Sequence, residues 1–321
     1  MSFMYKSQTG GEMSEAKNIH NSRLELVFEK KIPGLRVSEA KRHQEFIMRT
    51  RHVHDTIELF FLIEGRRFVF VDQETYSLEA GMGMLINHSM IHKTSMAAGY
   101  PPDHRNFILQ LDRSVFDGLL RQLGLPGFDE FGILYGGTTR FKPEEWQLIM
   151  AVIDSFKAAC EEERSRRENP QDLNAYLLLQ AMELLGIFAY RRKAELSGSW
   201  KTETGTRVVN TGVHQKVHDI AMYLQNHSAE NVTLEETAAR FYMSKSYLTR
   251  IFRNVTGFSV VEYLTFTRVK KAQIMLRDTD TSVTAIAEAA GFGNITYFEK
   301  VFRETAGMTP KQYRKEHARK V

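Results

Sequence analysis

A group of side chains in the first third of the chain has the types and spacing of a metal or hydrogen-bonding site. His52, His54 and Glu58 form the pattern HxHxxxE, and His92 follows further along the chain. Imidazole and carboxylate groups bind Fe, Mn, Ni or Zn, and they also orient polar ligands through hydrogen bonds. Because residues two apart on a strand share a face, we expect His52, His54 and Glu58 to point together into a barrel.

Short strands are predicted around this group. Runs with alternating apolar and polar residues are separated by turn residues such as Gly65, Gly81 and Gly83. The predicted strands are 24–28, 35–39, 57–63, 67–71, 74–78, 84–86 and 106–111. Several short strands without intervening helices indicate an all-β sandwich or barrel.

The histidine pattern resembles a known superfamily motif. Extended to Gly65 it reads HxHxxxExxxxxxG, like the first cupin motif, and AGMGMLINHSMIH resembles a second motif that keeps its glycines and His92. In metal-binding cupins these positions hold a divalent ion. Two roles therefore stay open for His52, His54, Glu58 and His92: a divalent metal site, or polar groups that line an effector pocket or tie strands together. We expect the pocket, with no bound cofactor.

Two helices are predicted after the strands, over 143–164 and 173–192. Their apolar residues recur at helical spacing, namely Trp146, Ile149, Ile153 and Phe156 in the first and Leu177, Ala181, Leu184, Leu185 and Phe188 in the second. Leu178 and Leu179 lie beside the second stripe and favour another buried face. A segment rich in Gly, Ser and Thr follows and is typical of a linker.

The last part of the chain contains a helix-turn-helix pattern. Apolar spacing over 283–290 predicts a short helix, which Gly291 ends. Asn294 is predicted to cap a second helix with Phe298 and Phe302 on its inner face. The side chains predicted to face outward are Ile295, Thr296, Tyr297 and Lys300. Two short helices joined by a tight turn are typical of a motif whose second helix enters a DNA major groove.

The same pattern occurs fifty residues earlier, in 234–263. Tyr247, Leu248, Phe252, Arg253, Gly257 and Tyr263 correspond to Tyr297, Phe298, Phe302, Arg303, Gly307 and Tyr313. Between the copies, 260–276 contains Val261, Leu264, Val269, Ala272 and Met275 and no proline, which predicts one continuous helix. Such a helix spans roughly 25 to 30 Å, and successive major grooves lie about 34 Å apart. A rigid spacer of this length is able to place two reading helices in adjacent grooves.

Residues 213–315 resemble the DNA-binding domain of the AraC/XylS family of transcription regulators. The run IAEAAGFGNITYFEKVFRETAGMTPKQYR matches the family signature almost throughout. By position, the resemblance implies DNA contacts from Ser246, Thr249, Arg250, Arg253, Ile295, Thr296, Tyr297, Lys300 and Arg303. Many relatives have longer polar side chains at some of these places. Ser246 and Ile295 are therefore expected to act by apolar contact with a thymine methyl or by fit.

The resemblance also implies an effector-binding cupin domain over about 24–111 and a dimer interface formed by the two following helices, although packing on their own barrel stays open. We predict an α+β multidomain fold: a mobile tail (1–22), a cupin-like β-barrel (23–142), a helical dimerisation hairpin (143–194), a linker (195–212) and an all-α domain with two helix-turn-helix motifs (213–321). The predicted partners are a double-stranded DNA operator, a small-molecule effector such as a sugar or another metabolite, RNA polymerase and a second copy of the chain.

Charge and composition agree with this reading. From Gly212 onward the chain has 16 Lys and Arg against 11 Asp and Glu, and the remainder has 27 against 28. The basic surplus suits DNA, because Lys and Arg displace counterions from phosphates.

Cys160 is the only cysteine, which excludes an intramolecular disulfide. With neither a signal peptide nor about 18 consecutive apolar residues, we expect a cytoplasmic protein that does not enter the membrane.

We therefore predict a one-component, ligand-responsive transcription activator rather than an enzyme. Two alternatives stay open: a metal-dependent cupin enzyme with an appended DNA-binding domain, and a dimeric regulator whose barrel binds no ligand. The enzyme would contain stoichiometric metal and would lose turnover when His52 or Glu58 is replaced.

Overall fold

The computed structural model describes residues 24–43, 56–88, 90–97, 99–166, 170–197 and 212–318. They form two compact units, one with the strands and the first four helices and the other with the C-terminal helices. The predicted α+β multidomain class is confirmed. The predicted tail over 1–22 and nearly all of the predicted linker lie outside the described residues.

The first unit contains two antiparallel sheets. Its strands are β1 (Leu24–Ile32), β2 (Leu35–Arg42), β3 (Thr56–Glu64), β4 (Arg66–Val71), β5 (Glu74–Glu79), β6 (Met82–Ile86), β7 (His92–Met96), β8 (His104–Asp112) and β9 (Gly137–Arg140). One sheet has the order β1-β2-β8-β3-β6-β9 and the other β5-β4-β7. The sequence did not predict β7 and β9, because HKTSM and GTTR are short and mostly polar. His92 is the first residue of β7.

Strands β3 and β6 of the six-stranded sheet are buried on both faces. Leu59, Phe61 and Leu109 belong to one apolar core, which includes residues of the helices. Phe60 and Ile108 alternate with them and belong to a second core between the two sheets. Alternate residues of a strand point to opposite faces, so the residues that face the barrel interior can be identified from register.

Four helices complete this unit: α1 (Arg113–Gln122), α2 (Phe128–Tyr135), α3 (Pro143–Arg166) and α4 (Pro170–Leu196). The first two were not predicted. Asp112 caps α1 by accepting a hydrogen bond from the Ser114 amide. Leu177, Leu184 and Phe188 of α4 are fully buried, whereas Leu179 is 70% exposed in the single chain.

Within the described residues, α4 is the helix that passes a length and composition test for crossing a membrane. A core helix of a soluble protein passes the same test. Leu177, Leu184 and Phe188 pack in the core of the first unit, so part of the apolar composition of α4 belongs to that core.

The second unit contains α5 (Gly212–Asn226), α6 (Leu234–Arg240), α7 (Lys245–Thr256), α8 (Val260–Asp278), α9 (Val283–Ala289), α10 (Ile295–Ala306) and α11 (Pro310–His317). Ser259 and Glu262 form a capping box that begins α8. This helix is continuous over 19 residues, as predicted, and spans roughly 28 Å. It buries Tyr263, Val269 and Leu276, but Val261 is 59% exposed and is not a core residue.

Candidate nucleic-acid interface and sensor pocket

Helix α7 separates a buried face from a polar one. Ser244 begins it, because its Oγ accepts a hydrogen bond from the Tyr247 amide at 3.2 Å. Leu248 and Phe252 are fully buried, and Ile251 is nearly so. The residues predicted to contact DNA are Ser246, Thr249, Arg250 and Arg253, which recur at spacings of three, four and seven and therefore share one face. Ser246, Arg250 and Arg253 are exposed, and Thr249 is half-buried.

An open groove of about 530 Å³ lies between the start of α6 and this face of α7. It is lined by Leu234, Glu235, Lys245, Ser246, Thr249, Arg250, Arg253 and Asn254. All four residues predicted for the first copy therefore lie together. Sequence reasoning missed Lys245 and Asn254. The position of Lys245 at the first turn of the reading helix could have identified it.

The charge of this groove is only partly balanced. Lys245 Nζ lies 2.6 Å from Glu235 Oε1, and both side chains are exposed. The Arg250 guanidinium lies 5.4 Å from the centre of the Tyr247 ring, a cation–π arrangement that orients it. Two arginines and a lysine thus face one carboxylate, which leaves a net positive surface.

Helix α10 presents the second copy of this face. Asn294 caps it by accepting a hydrogen bond from the Tyr297 amide at 2.9 Å, as predicted. Phe298 and Phe302 are fully buried. The predicted outer face is exposed, with Ile295 at 37%, Tyr297 at 51%, and Thr296, Lys300 and Arg303 also classed as exposed. Glu299 is exposed on the same side and was not predicted.

The turns of the two copies have the same backbone form. Tyr242 has φ +53° and Gly291 has φ +94°. After each turn an amide bonds back to the preceding helix, from Met243 N to Ala238 O and from Phe292 N to Ala287 O, both at 2.9 Å. Tyr242 therefore occupies the position that glycine occupies in the second copy.

The surroundings of the two turns differ. The side chain of Tyr242 is 98% exposed. A Cβ atom on Gly291 would lie 2.5 Å from Ser228 O and 2.8 Å from Ala229 Cα, so no side chain fits there. Arg268 of α8 donates to Ser228 O and Glu230 O, each at 2.7 Å. The second turn is thus packed on the loop after α5.

In the first unit, called the sensor unit below because it is predicted to bind the effector, two of the four predicted pocket residues lie together. Glu58 and His92 are 5% and 3% exposed, and His92 Nε2 lies 3.8 Å from Glu58 Oε2. Gln110 Nε2 donates to Glu58 Oε2 at 3.3 Å, and His92 Nδ1 donates to Met90 O at 3.0 Å. The predictions for His52 and His54 lie outside the described residues.

The described residues do not complete a metal site. No group of three or more His, Cys, Asp or Glu side chains lies close enough to hold an ion in that part of the chain. Glu58 and His92 supply two donors, fewer than the four protein or solvent ligands of a typical zinc site. We therefore derive no chemistry through a metal.

Comparison with known proteins relates both units to one family. The family profile for an AraC-like ligand binding domain matches residues 33–181, and that for a helix-turn-helix domain matches residues 237–316. The HTH-type transcriptional activator RhaS of Escherichia fergusonii is 30% identical over 274 residues, which cover 82% of this chain and 86% of RhaS. The chain belongs to the AraC family of transcription regulators.

Other AraC-type proteins match shorter parts. The regulatory protein PocR of Salmonella typhimurium is 26% identical over 174 residues, and this match covers 54% of the chain and about half, 56%, of PocR. The solved C-terminal domain of AraT, a response regulator from Geobacillus stearothermophilus, is 30% identical with a TM-score of 0.33 and covers 34% of this chain and 92% of that domain. AraC-family regulators bind DNA and small-molecule effectors, and this chain holds both kinds of domain.

Proposed function

We propose that the protein is a ligand-responsive transcription activator that reads two successive major grooves with α7 and α10. The main support is the pair of exposed polar faces, each opposite a fully buried aromatic at Phe252 or Phe302. The continuous helix α8 between them has nearly the length that separates adjacent grooves. Activation, rather than repression, is proposed because RhaS carries that description.

The two faces suggest a division of contacts. Arg250, Arg253, Lys300 and Arg303 are long, exposed and basic, which suits phosphate oxygens and guanine edges. The shorter residues Ser246, Thr249 and Thr296 suit base edges at close approach, and Ile295 suits a thymine methyl group. Lys245 and Asn254, which line the first groove, join the proposed contacts.

Ligand response requires a differential affinity. An effector that binds the sensor unit more tightly in one state than in another shifts the population toward that state, and DNA binding changes only by that difference. We propose a sugar or similar metabolite as the effector.

Dimerisation is proposed through the outer face of α4. Tyr176, Leu179 and Tyr190 lie on one side of this helix and are 43%, 70% and 76% exposed. An apolar helical face that the described part of the chain leaves exposed favours a second copy as its partner. We further propose that the homodimer is cytoplasmic and contacts RNA polymerase.

The proposal is tested with full-length protein on an operator selected from genomic fragments. Dimethyl sulfate footprinting, which probes guanine N7 in the major groove, should show two protected segments about one helical turn apart on one face of the DNA. Arg250→Ala and Lys300→Ala should each weaken binding by about 1 to 3 kcal/mol and leave thermal unfolding unchanged. Lys31→Ala, an exposed cation on β1, is the matched control. Protection of a single groove, or loss of binding only through unfolding, would refute the proposal.

A further inference from the structure

Helix α5 brings a cation to the side of the first reading helix. Lys216 of α5 is exposed, and its Nζ atom lies 5.7 Å from the centre of the Tyr247 ring. The Arg250 guanidinium lies 5.4 Å from the centre of the same ring. We propose that Lys216 binds a DNA phosphate at the edge of the major groove that α7 enters, and that Tyr247 positions its ammonium group. The inference rests on the proposed function, because α7 must be a reading helix.

Tyr247 lies at the border between the two faces of α7. Its side chain is half-buried, and it is not among the residues that line the open groove. Successive helical residues are about 100° apart around the axis, which places Tyr247 about 100° from Ser246 and about 60° from Arg250. Ser246 and Arg250 line the groove, whereas Leu248 on the other side of Tyr247 is fully buried. The Tyr247 ring therefore lies on a flank of the reading helix.

The shape of the major groove decides what such a flank meets. A helix of about 10 to 12 Å diameter fills a groove of about 12 Å width. The outer face of the helix then meets base edges, and its flanks meet the phosphates that border the groove. Lysine suits this position, because its ammonium is a compact charge with three rotatable donors that binds phosphate without a fixed planar geometry.

Lys216 has no competing anion. Among the residues that the structure describes, it has no ion-pair partner. The contact with the Tyr247 ring orients its ammonium and leaves the charge in place. Lys245, by contrast, lies 2.6 Å from Glu235 Oε1, so it must exchange this carboxylate for a phosphate when DNA binds.

The second copy contains a corresponding cation with a different role. Lys216 and Arg268 each immediately precede a fully buried valine, in α5 and in α8. The Arg268 guanidinium lies 6.0 Å from the centre of the Phe292 ring, which lies 6.2 Å from the ring of Tyr297, the equivalent of Tyr247. Arg268 donates to two carbonyls of the loop after α5. The cation of the second copy thus holds a loop, whereas that of the first copy is available to DNA.

The test is fluorescence anisotropy of the full-length protein at several salt concentrations, with the selected operator and with a random-sequence duplex of equal length. Lys216→Ala should weaken binding to both duplexes by a similar factor, about threefold to tenfold near physiological salt, and should reduce the salt slope by about one. Lys216→Arg keeps the charge and should keep the slope. Lys31→Ala, which removes an exposed cation from β1, is the matched control and should leave the slope unchanged.

Substitutions of Tyr247 test the positioning role. Tyr247→Leu should weaken binding to both duplexes about twofold to fivefold, and Tyr247→Phe should bind as wild type does, because it retains the ring. In the variant that combines Lys216→Ala with Tyr247→Leu, the losses should not add, since both substitutions remove the same phosphate contact. Additive losses would overturn the positioning role. Thermal unfolding of each variant separates a binding defect from a loss of structure.

The remaining outcomes separate this inference from the proposed function. An unchanged salt slope in Lys216→Ala, or a loss confined to the operator, would overturn the phosphate contact. If wild type protects two major-groove segments and Lys216→Ala binds as wild type does, the proposed function stands and this inference fails. If Lys216→Ala lowers the slope but wild type protects a single segment, the phosphate contact stands and the reading of two grooves fails.

Discussion

The two helix-turn-helix copies bury equivalent residues but expose different surfaces. Helix α7 reads KSYLTRIFRNVT, with three basic residues and no acidic one, whereas α10 reads ITYFEKVFRETA, in which Lys300 and Arg303 are matched by two glutamates. The equivalent of Thr249 is Glu299. Phosphate affinity grows with the number of cations that contact phosphates, so we expect the first copy, with its larger basic surplus, to supply more sequence-independent binding.

The difference extends to the turns. Gly291 packs on the loop at Ser228, and Arg268 bonds to the same loop, whereas Tyr242 projects into solvent. The turn of the second copy is therefore packed on the loop after α5, whereas the Tyr242 side chain in the turn of the first copy is exposed. We therefore expect the first copy to contribute more electrostatic attraction to DNA, and the second copy to fix the geometry of the domain.

The largest expected effect concerns the fully buried phenylalanine that each copy contains. Phe252→Ala and Phe302→Ala should each lower the free energy of unfolding by about 3 to 5 kcal/mol, because each truncates a fully buried ring. Each ring also makes an edge contact, with Tyr263 at 5.3 Å and with Tyr313 at 5.5 Å. Urea unfolding of the full-length protein measures this, with Tyr297→Ala as an exposed control. A cost below about 1 kcal/mol at either phenylalanine would show that the two cores are not equivalent.

Substitutions in the two turns should give the next largest effect, a difference in the free energy of unfolding. Gly291→Ala should cost about 2 to 4 kcal/mol, because its Cβ would collide with Ser228 O and its φ is positive. Tyr242→Gly should change stability by less than about 1 kcal/mol, since relief of the positive φ is offset by the greater freedom of unfolded glycine. Thermal and urea unfolding compare the two variants. Tolerance of alanine at Gly291 would contradict the packing described for the second turn.

The smallest expected effect concerns charge at one equivalent position. Glu299→Thr should strengthen binding to random-sequence duplex by about 1 kcal/mol and steepen its salt dependence by up to about one unit, because it removes an anion from the DNA-facing surface. Thr249→Glu should do the opposite. Fluorescence anisotropy at several salt concentrations measures both, and unfolding curves control for stability. Unchanged salt dependence in both variants would remove the proposed electrostatic difference between the copies.

Local features explain why the helical unit was predictable. Asn294 caps α10 through an amide three residues away, and Ser259 and Glu262 begin α8 in the same local way. The inner faces follow from apolar residues at spacings of three and four. The repeat contains a second residue that corresponds to each of these positions. Glu299 was not predicted as a residue of the outer face, although it lies fifty residues after Thr249 and therefore corresponds to it in the repeat.

The sensor unit was less predictable. Helices α1 and α2 and strands β7 and β9 are short, and β9 has only four residues. It becomes a strand because its backbone pairs with β6, from Met82↔Arg140 to Leu85↔Gly137. Pairing between residues more than fifty positions apart leaves no periodic pattern within GTTR.

The sequence alone predicted the amphipathic helices α7 and α10, the Asn294 cap and the continuous helix between them, because each depends on residues within about one or two helical turns. Only the tertiary structure decided that Thr138 would be buried with no hydrogen-bond partner for its Oγ1 atom among the described residues, and that Asp72, Glu74 and Arg192 would line the same cleft as Thr138. These side chains come from the β4–β5 turn, from β5 and β9 and from the distant helix α4. Long-range sheet pairing and helix packing bring them together, and spacing along the chain does not encode such proximity.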